Sequence, residues 1–152
     1  MAFPVPVSAS TDLGFTPELT PGDMLEMGVF GGWYFEGDSS EYPSRWFSKA
    51  RLSGRGFDVS LNYFGVTAGL SREAWQRKGW ITPHDPLGWF QWYCRYALGR
   101  RIPDLDRFQI RRWKAFGPRH RGAIRANCEC MDFDCRRRQR QALLQWAYDP
   151  IF

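Results

Sequence analysis

The chain has 152 residues, which is enough for one domain with its own hydrophobic core, and its formal net charge is +5. It contains no run of the roughly 18 apolar residues that a membrane span needs, and its N-terminus lacks the basic start and apolar core of a signal peptide. We therefore expect a cytoplasmic protein with reduced thiols and no membrane contact, and the basic character favours an anionic partner.

The first predicted element is a tail followed by a capped helix. Residues 1–19 contain Pro, Ser and Thr without periodicity, so they are predicted to form a flexible N-terminal arm ahead of a single helical domain over residues 20–152. Thr20 as N-cap, Pro21 at the first helical position and Asp23 three residues after the cap predict a helix. This helix should end at the Gly-Gly pair that follows.

The next two segments are less regular. A second helix is predicted to open at Pro43 and to close near Gly54. Residues 58–64 alternate in polarity as a strand does, but Asp58 as a cap and Gly65 as a stop favour one or two helical turns. Both interpretations of residues 58–64 stay open.

Cap and stop signals also define two helices in the middle of the chain. Ser71 is expected to cap a helix that ends at Gly79. Asp85 is expected to cap the next one, with Pro86 at its first position and Gly99 just past its end.

Two further helices are predicted near the C-terminus. Asp104 or a neighbour caps a helix that stops at Gly117–Pro118, and a short piece over residues 119–126 follows. The last helix is predicted from Cys135 to Pro150. The fold class is therefore mainly α: a compact single-domain bundle of about six to seven helices, with a short strand near residues 58–64 as the alternative there.

The aromatic-rich helix after Asp85 is apolar or aromatic over roughly 240° of its circumference. One explanation is a central helix that its neighbours bury on nearly all sides. The other is that three of its rings, those of Trp89, Trp92 and Tyr96, line a cleft where they stack on a base or another planar ligand. Arg100 and Arg101 would then lie at the mouth of that cleft.

The following helix carries a basic stripe opposite its apolar face. Arg107, Arg111 and Lys114 fall together on the helical wheel, as in a helix that lies against phosphates. A solvated surface helix has the same pattern. Arg112 falls inside the apolar arc, so we expect it to pair with a carboxylate or to reach a ligand.

The last predicted helix begins with positive charge, which its dipole disfavours at that end. This cost suggests an anion site, where backbone N–H groups and guanidinium groups converge. The alternative is neutralisation by the acids Glu129, Asp132 and Asp134. The arginines concerned are Arg136, Arg137, Arg138 and Arg140.

Cysteine and histidine residues near the C-terminus form a candidate metal site. His120, Cys128, Cys130 and Cys135 could supply four zinc ligands, but the paired CxxC spacing of a typical zinc site is missing. No cofactor is therefore predicted, with zinc as the alternative.

Three residues are candidates for acid–base catalysis. His84 precedes a predicted helix start, and Asp104 and Asp106 lie at the start of the next predicted helix. The chain has no phosphate-binding glycine loop, no GxSxG and no HExxH motif, so it shows no familiar enzyme class.

Four segments resemble a family of small uncharacterised proteins. They are SLNYFGV, KGWITPHDPLGWFQWYCRYALGRR, QIRRWKAF and CRRRQRQALLQWAYDP, and the resemblance covers about residues 20 to 150. It implies no activity, cofactor or catalytic residue.

The function that these patterns favour is binding of nucleic acid or a nucleotide-like phosphate anion. Of the 21 basic residues, 18 are arginine rather than lysine. Guanidinium groups match the geometry of phosphate and carboxylate. Codon usage in a GC-rich genome is another explanation. The alternative function is a small enzyme acting on a phosphorylated or carboxylated metabolite, and a third is a protein-interaction domain. The predicted anion-binding residues are Arg100, Arg101, Arg107, Arg111, Arg112, Arg136, Arg137 and Arg140.

Overall fold

A computed structural model of the protein describes residues 14–69 and 72–152. This part of the chain is mainly helical and has no strand or sheet, so the predicted fold class is confirmed. Four short 3-10 turns accompany the α-helices: Phe30–Gly32, Phe35–Gly37, Ser44–Phe47 and Val59–Leu61. The α-helices are α1 (Pro21–Met27), α2 (Arg72–Arg77), α3 (Trp89–Ala97), α4 (Pro103–Asn127) and α5 (Arg137–Leu144).

Helix α1 begins as the sequence predicts. The Thr20 hydroxyl accepts a hydrogen bond from the Asp23 N–H (3.1 Å), and the Asp23 carboxylate accepts one from the Thr20 N–H (2.9 Å). This reciprocal pair is a capping box. The helix ends earlier than predicted because Gly28 adopts a φ of +113°, and an added Cβ at this position would lie 2.3 Å from the Leu61 carbonyl oxygen.

The two irregular segments form turns rather than long elements. The helix predicted from Pro43 to Gly54 is reduced to the 3-10 turn Ser44–Phe47. Within residues 58–64, Asp58 caps the turn Val59–Leu61 by accepting from the Ser60 N–H at 3.0 Å. The helical-turn interpretation of this segment is therefore confirmed, and the strand is not formed.

Helix α3 begins three residues after the predicted position. Asp85 is buried, and its carboxylate accepts from the guanidinium groups of Arg95 and Arg100 instead of capping the helix. An N–H bond from Gly88 to the Asp85 carbonyl (3.0 Å) forms a turn before α3 starts. The predicted cap of α2, Ser71, lies outside the described residues.

Helix α4 does not stop at Gly117–Pro118 but continues through it for a total of 25 residues. The ring of Tyr148 fills the space beside Gly117, where an added Cβ would lie 2.2 Å from the ring. The Tyr148 hydroxyl also donates to the Trp113 carbonyl, in the turn whose hydrogen bonding Pro118 weakens. This contact from the end of the chain supports a helix that local signals would end, so residues 119–126 belong to α4.

The core is built around the aromatic helix α3. Phe15 is buried at 5% exposure, and its ring contacts five other rings, from Trp89, Trp92, Tyr93, Tyr96 and Trp113. Residues 14–19 therefore pack on the core and are not part of a flexible arm, while residues 1–13 lie outside the described residues. Within residues 14–69 and 72–152, no helix is both long and apolar enough to cross a membrane.

Candidate functional site

The three predicted stacking residues are core residues. Trp89, Trp92 and Tyr96 are 5%, 0% and 5% exposed. The Trp92 indole N–H donates to the buried carboxylate of Asp106 at 2.8 Å, and the Trp89 ring stacks on Trp146. Because neighbouring rings cover all three faces, they have no surface to offer a ligand, and the prediction of a cleft here is wrong.

Arg100 and Arg101 follow this helix, and Arg100 lines a surface depression of about 430 Å³ together with Glu41, Arg95 and Leu98. Arg100 makes a two-point contact with the buried Asp85 carboxylate, at 2.9 and 2.6 Å. Arg95 donates to the same carboxylate at 3.0 Å and makes a second two-point contact with Glu41, which lowers the pKa of that carboxyl group. The Arg101 guanidinium lies 3.6 Å from the centre of the Tyr96 ring. These groups have structural partners on the protein itself.

The guanidinium group of Arg112 is stabilised in the fold by aromatic rings and a side-chain amide rather than by a carboxylate. Its guanidinium lies 4.9 Å from the centre of the Trp80 ring and 5.1 Å from that of Trp146, and it donates to the Gln109 side chain at 2.8 Å. Desolvation lowers its pKa to about 10. Aromatic faces thus stabilise this cation inside the fold, and the expected carboxylate or ligand is not needed.

The arginines at the start of α5 divide into two classes. Arg140 is 2% exposed, and its guanidinium donates to the carbonyls of Cys135 (2.8 Å), Pro150 (2.8 Å) and Asp132 (3.2 Å). It is therefore a structural residue that binds three chain segments together. Arg136 and Arg137 are exposed, and Arg137 pairs with the carboxylate of Asp134 at 2.8 Å. The predicted neutralisation by a neighbouring acid is thus confirmed for Arg137.

The predicted basic stripe of α4 is exposed along its length. Arg107, Arg111 and Lys114 all face away from the core, and Arg107 pairs with the neighbouring Asp104. Because α4 continues past Pro118, Arg125 falls on the same line, 18 residues after Arg107. We call these four residues, Arg107, Arg111, Lys114 and Arg125, the basic ridge.

Sequence reasoning missed Arg125 because it ended the helix too early. One signal could have found it: between Asp106 and Glu129 the chain has no acidic residue. The same stretch carries seven basic ones, Arg107, Arg111, Arg112, Lys114, Arg119, Arg121 and Arg125. Such a one-sided stretch indicates a continuous surface rather than two short helices with separate surroundings.

The candidate catalytic residues do not meet. His84 and Asp104 are exposed, whereas Asp106 is buried and its carboxylate accepts from the N–H of Ile102, the N-cap residue of α4, at 2.9 Å. Two surface depressions, of about 430 and 290 Å³, are lined by other residues. None of the three candidate residues lines either depression, so their positions give the enzyme alternative no support in the part of the chain that the structure describes.

The candidate zinc ligands are also separated. Cys128 and Cys135 form a disulfide bond with each other, Cys130 is exposed, and the His120 ring stacks on Phe116. No group of three or more potential metal ligands exists within residues 14–69 and 72–152. Two of the three candidate cysteine ligands are thus unavailable to a metal while the disulfide is formed. The expectation of reduced thiols is therefore wrong for Cys128 and Cys135. A disulfide is more usual in oxidising compartments, and the cytoplasmic location stays a prediction.

A second unexpected feature lies in the segment before α2. Five of the exposed large apolar side chains belong to it, and no motif in the sequence pointed to them. A usable signal was present, because short glycine-rich segments with several aromatics cannot bury them all on one helical face. We call these residues, Trp33, Leu52, Phe57, Val59 and Tyr63, the apolar patch.

Comparison with models of protein families, with curated proteins and with solved structures gives no match. The resemblance to a family of small uncharacterised proteins stays a prediction. The function must therefore be argued from the residues themselves.

Proposed function

We propose that the protein binds nucleic acid through the basic ridge of α4. The observation that carries this proposal is the absence of acidic residues between Asp106 and Glu129, beside seven arginines and lysines. A helix surface that serves solubility alone usually mixes both charges, because pairs of opposite sign three or four residues apart stabilise it.

Arg111 is the clearest case within the ridge. It is exposed, and no carboxylate of the described residues lies within ion-pair distance of it. By contrast, Arg95 and Arg121 make two-point contacts with Glu41 and Glu18. Within the ridge, Arg107 pairs with Asp104 and the Arg125 guanidinium lies 5.0 Å from the centre of the Phe152 ring. Both side chains nevertheless remain exposed, as Arg111 does.

The length of the ridge favours a polymer over a single small anion. Arg107 and Arg125 lie 18 residues apart in α4, which corresponds to roughly 27 Å along a helix axis. One strand of a B-form duplex advances about 3.4 Å per nucleotide, so the ridge spans about eight nucleotides. We expect the ridge to contact phosphates, which carry no sequence information, so little sequence preference should follow from it.

The test is binding of a fluorescein-labelled 16-nucleotide strand and of its duplex, followed by anisotropy at rising salt. For about four phosphate contacts, affinity for the duplex should fall about 100-fold between 50 and 200 mM salt, because binding releases counterions. The double variant Arg111→Gln/Arg125→Gln should bind more weakly and show a shallower salt dependence, since it removes two contacts.

The matched control is Lys49→Gln/Arg77→Gln, which removes two exposed basic residues outside the ridge. Its net charge equals that of Arg111→Gln/Arg125→Gln, because each double variant loses two positive charges. It should bind nearly as the unchanged protein does. Absence of binding to either oligonucleotide at 50 mM salt contradicts the proposal. An equal loss in both double variants also contradicts it, because net charge alone would then explain the binding.

A further inference from the structure

The apolar patch is held together by the loop between α1 and the turn Phe35–Gly37. The Tyr63 N–H donates to the Gly28 carbonyl (3.0 Å), the Asp58 N–H to the Gly31 carbonyl (2.9 Å) and the Ser53 N–H to the Gly32 carbonyl (2.8 Å). Each member of the patch therefore lies in this loop, or in a segment that bonds to it. The loop thus brings together backbone segments that lie far apart in the chain.

Buried side chains hold the loop itself in place. The Asn62 side-chain oxygen accepts from the Gly31 N–H at 2.8 Å, and the Gln145 side-chain oxygen accepts from the Phe30 N–H at 3.2 Å. Gln141 donates to the Gly28 carbonyl at 3.1 Å and accepts from the Phe64 N–H at 3.1 Å. Helix α5 thus anchors the backbone beneath the patch, so the exposed rings stand on a fixed base.

The rings remain accessible although their backbone is fixed. Trp33, Phe57 and Tyr63 are 37%, 53% and 41% exposed. The Phe57 ring lies across Gly31, where an added Cβ would come within 2.4 Å of it. Three exposed aromatic rings thus belong to backbone segments that are hydrogen-bonded to one loop, and exposed apolar side chains that come together mark candidate interaction sites.

The chain around Leu52, Phe57 and Val59 is basic, whereas the exposed acids Glu36 and Asp38 follow Trp33. Arg51, next to Leu52, and Arg55, two residues before Phe57, are both exposed. Between residues 45 and 63 the only acidic residue is Asp58, and its carboxylate already accepts from the Ser60 N–H and hydroxyl. A partner for this surface should therefore combine negative charge with flat apolar groups.

Unpaired nucleotides have this combination, since each carries a phosphate and a base whose face can stack on an aromatic ring. In a duplex the base faces are stacked on one another and are not accessible to protein rings. We infer that the apolar patch stacks on unpaired bases, so that the ligand class is single-stranded nucleic acid; this inference rests on the proposed function.

The test compares a 16-nucleotide oligothymidylate with a 16-base-pair duplex. Phe57→Ala and Tyr63→Ala should each weaken binding of the single strand by about 5-fold or more and leave duplex binding unchanged. Phe57→Trp, which keeps a ring, should retain single-strand affinity. Leu52→Ala removes an exposed apolar side chain of the same patch that has no ring, so it should have little effect if stacking is the interaction.

Two results would overturn the inference while leaving the proposed function intact. In the first, Phe57→Ala and Tyr63→Ala leave single-strand affinity unchanged, while Arg111→Gln/Arg125→Gln weakens it. The patch would then bind a different partner, such as a protein. The second is an equal loss from Leu52→Ala, which would indicate general apolar contact. If neither oligonucleotide binds the unchanged protein, the proposed function itself fails. Circular dichroism of each variant confirms that a loss of binding is not a loss of fold.

Discussion

At the scale of single residues, burial decides what an arginine does. Arg140 and Arg111 both belong to basic segments in the sequence. Arg140 is enclosed by backbone carbonyls, and burial lowers its pKa while the Asp132 carboxylate partly opposes that shift. Arg111 faces solvent. A substitution of Arg140 would leave buried carbonyls without donors, so a loss of binding in such a variant could not be read as a loss of ligand contact.

Gly117 provides a prediction at this scale. It lies inside α4, where replacement of Gly by Ala normally raises the free energy of unfolding by about 0.5–1 kcal/mol. At Gly117, however, a Cβ would lie 2.2 Å from the Tyr148 ring, which is itself buried and stacked on Trp113. We therefore expect Gly117→Ala to lower the free energy of unfolding, by about 1–3 kcal/mol, because the packed ring must move.

The same helix contains its own control. Gly122 has no atom within 4 Å of an added Cβ, so Gly122→Ala should show the ordinary gain of about 0.5–1 kcal/mol. Urea unfolding followed by circular dichroism measures both variants. Opposite signs at the two glycines support the packing of Tyr148 on α4, whereas a gain at both would contradict it.

At the scale of helices and turns, sequence signals predict a helix start or end correctly only where contacts between near neighbours in the chain determine it. The capping box of Thr20 and Asp23 involves residues three apart, and the predicted helix start there is confirmed. The end of α4 was predicted wrongly, because Tyr148 supports Gly117–Pro118 from about 30 residues away. In the same way, the sequence predicts Asp85 as a helix cap, but its carboxylate pairs with the guanidinium groups of Arg95 and Arg100.

The candidate site shows the same division. Exposure of Arg107, Arg111 and Lys114 follows from helical periodicity alone, so it could be predicted. Burial of Trp92 could not be predicted, because a helical wheel shows which residues share a face but not how many other elements pack against the helix. For Phe57, the glycine-rich composition indicates that some aromatic rings stay exposed but not which ones, because the position of this ring depends on hydrogen bonds between separate loops.

The disulfide gives a prediction for the connection between α4 and α5. It joins Cys128 and Cys135, with a separation of 7 residues. Closing a loop of this size restricts the unfolded chain and should stabilise the fold by about 2–3 kcal/mol in the chain-entropy model. Reduction of the protein, or the double variant Cys128→Ser/Cys135→Ser, should therefore lower Tm by several degrees.

Cys130 lies in the same loop, is exposed and is not disulfide-bonded, so Cys130→Ser is the control. It should leave Tm unchanged and remain sensitive to reductant, while the double variant should be insensitive. If reductant does not change the Tm of the unchanged protein, the bond contributes nothing to stability. Mass spectrometry after alkylation of free thiols reports whether the bond is present at the start of the experiment.

At the scale of the whole molecule, the segment before α1 connects distant parts of the chain. Phe15 packs on α3 and α4. Three residues later, the Glu18 carboxylate accepts from the Arg121 guanidinium and from the Asp149 N–H, each at 2.8 Å, so it joins α4 to the C-terminal segment. The Glu18 N–H also donates to the Ala147 carbonyl at 2.8 Å. This segment therefore closes the fold, and a change there should affect global unfolding.

The last prediction concerns acid. The hydrogen bond from Arg121 is the main cause that lowers the pKa of Glu18 below its ordinary value of 4.5, against an opposing effect of burial. Since the unfolded chain then binds a proton more readily than the folded one, this contribution is complete above about pH 4.5 and is lost as pH falls through the folded pKa. It should amount to about 1 kcal/mol or less, because Glu18 is partly exposed and solvent screens the pair. Urea unfolding at pH 7 and pH 3 should show a smaller loss of stability for Glu18→Gln than for the unchanged protein. Glu26→Gln, at an exposed carboxylate of α1, should keep the full loss, and an identical pH dependence in both variants would contradict the role of Glu18 in closing the fold.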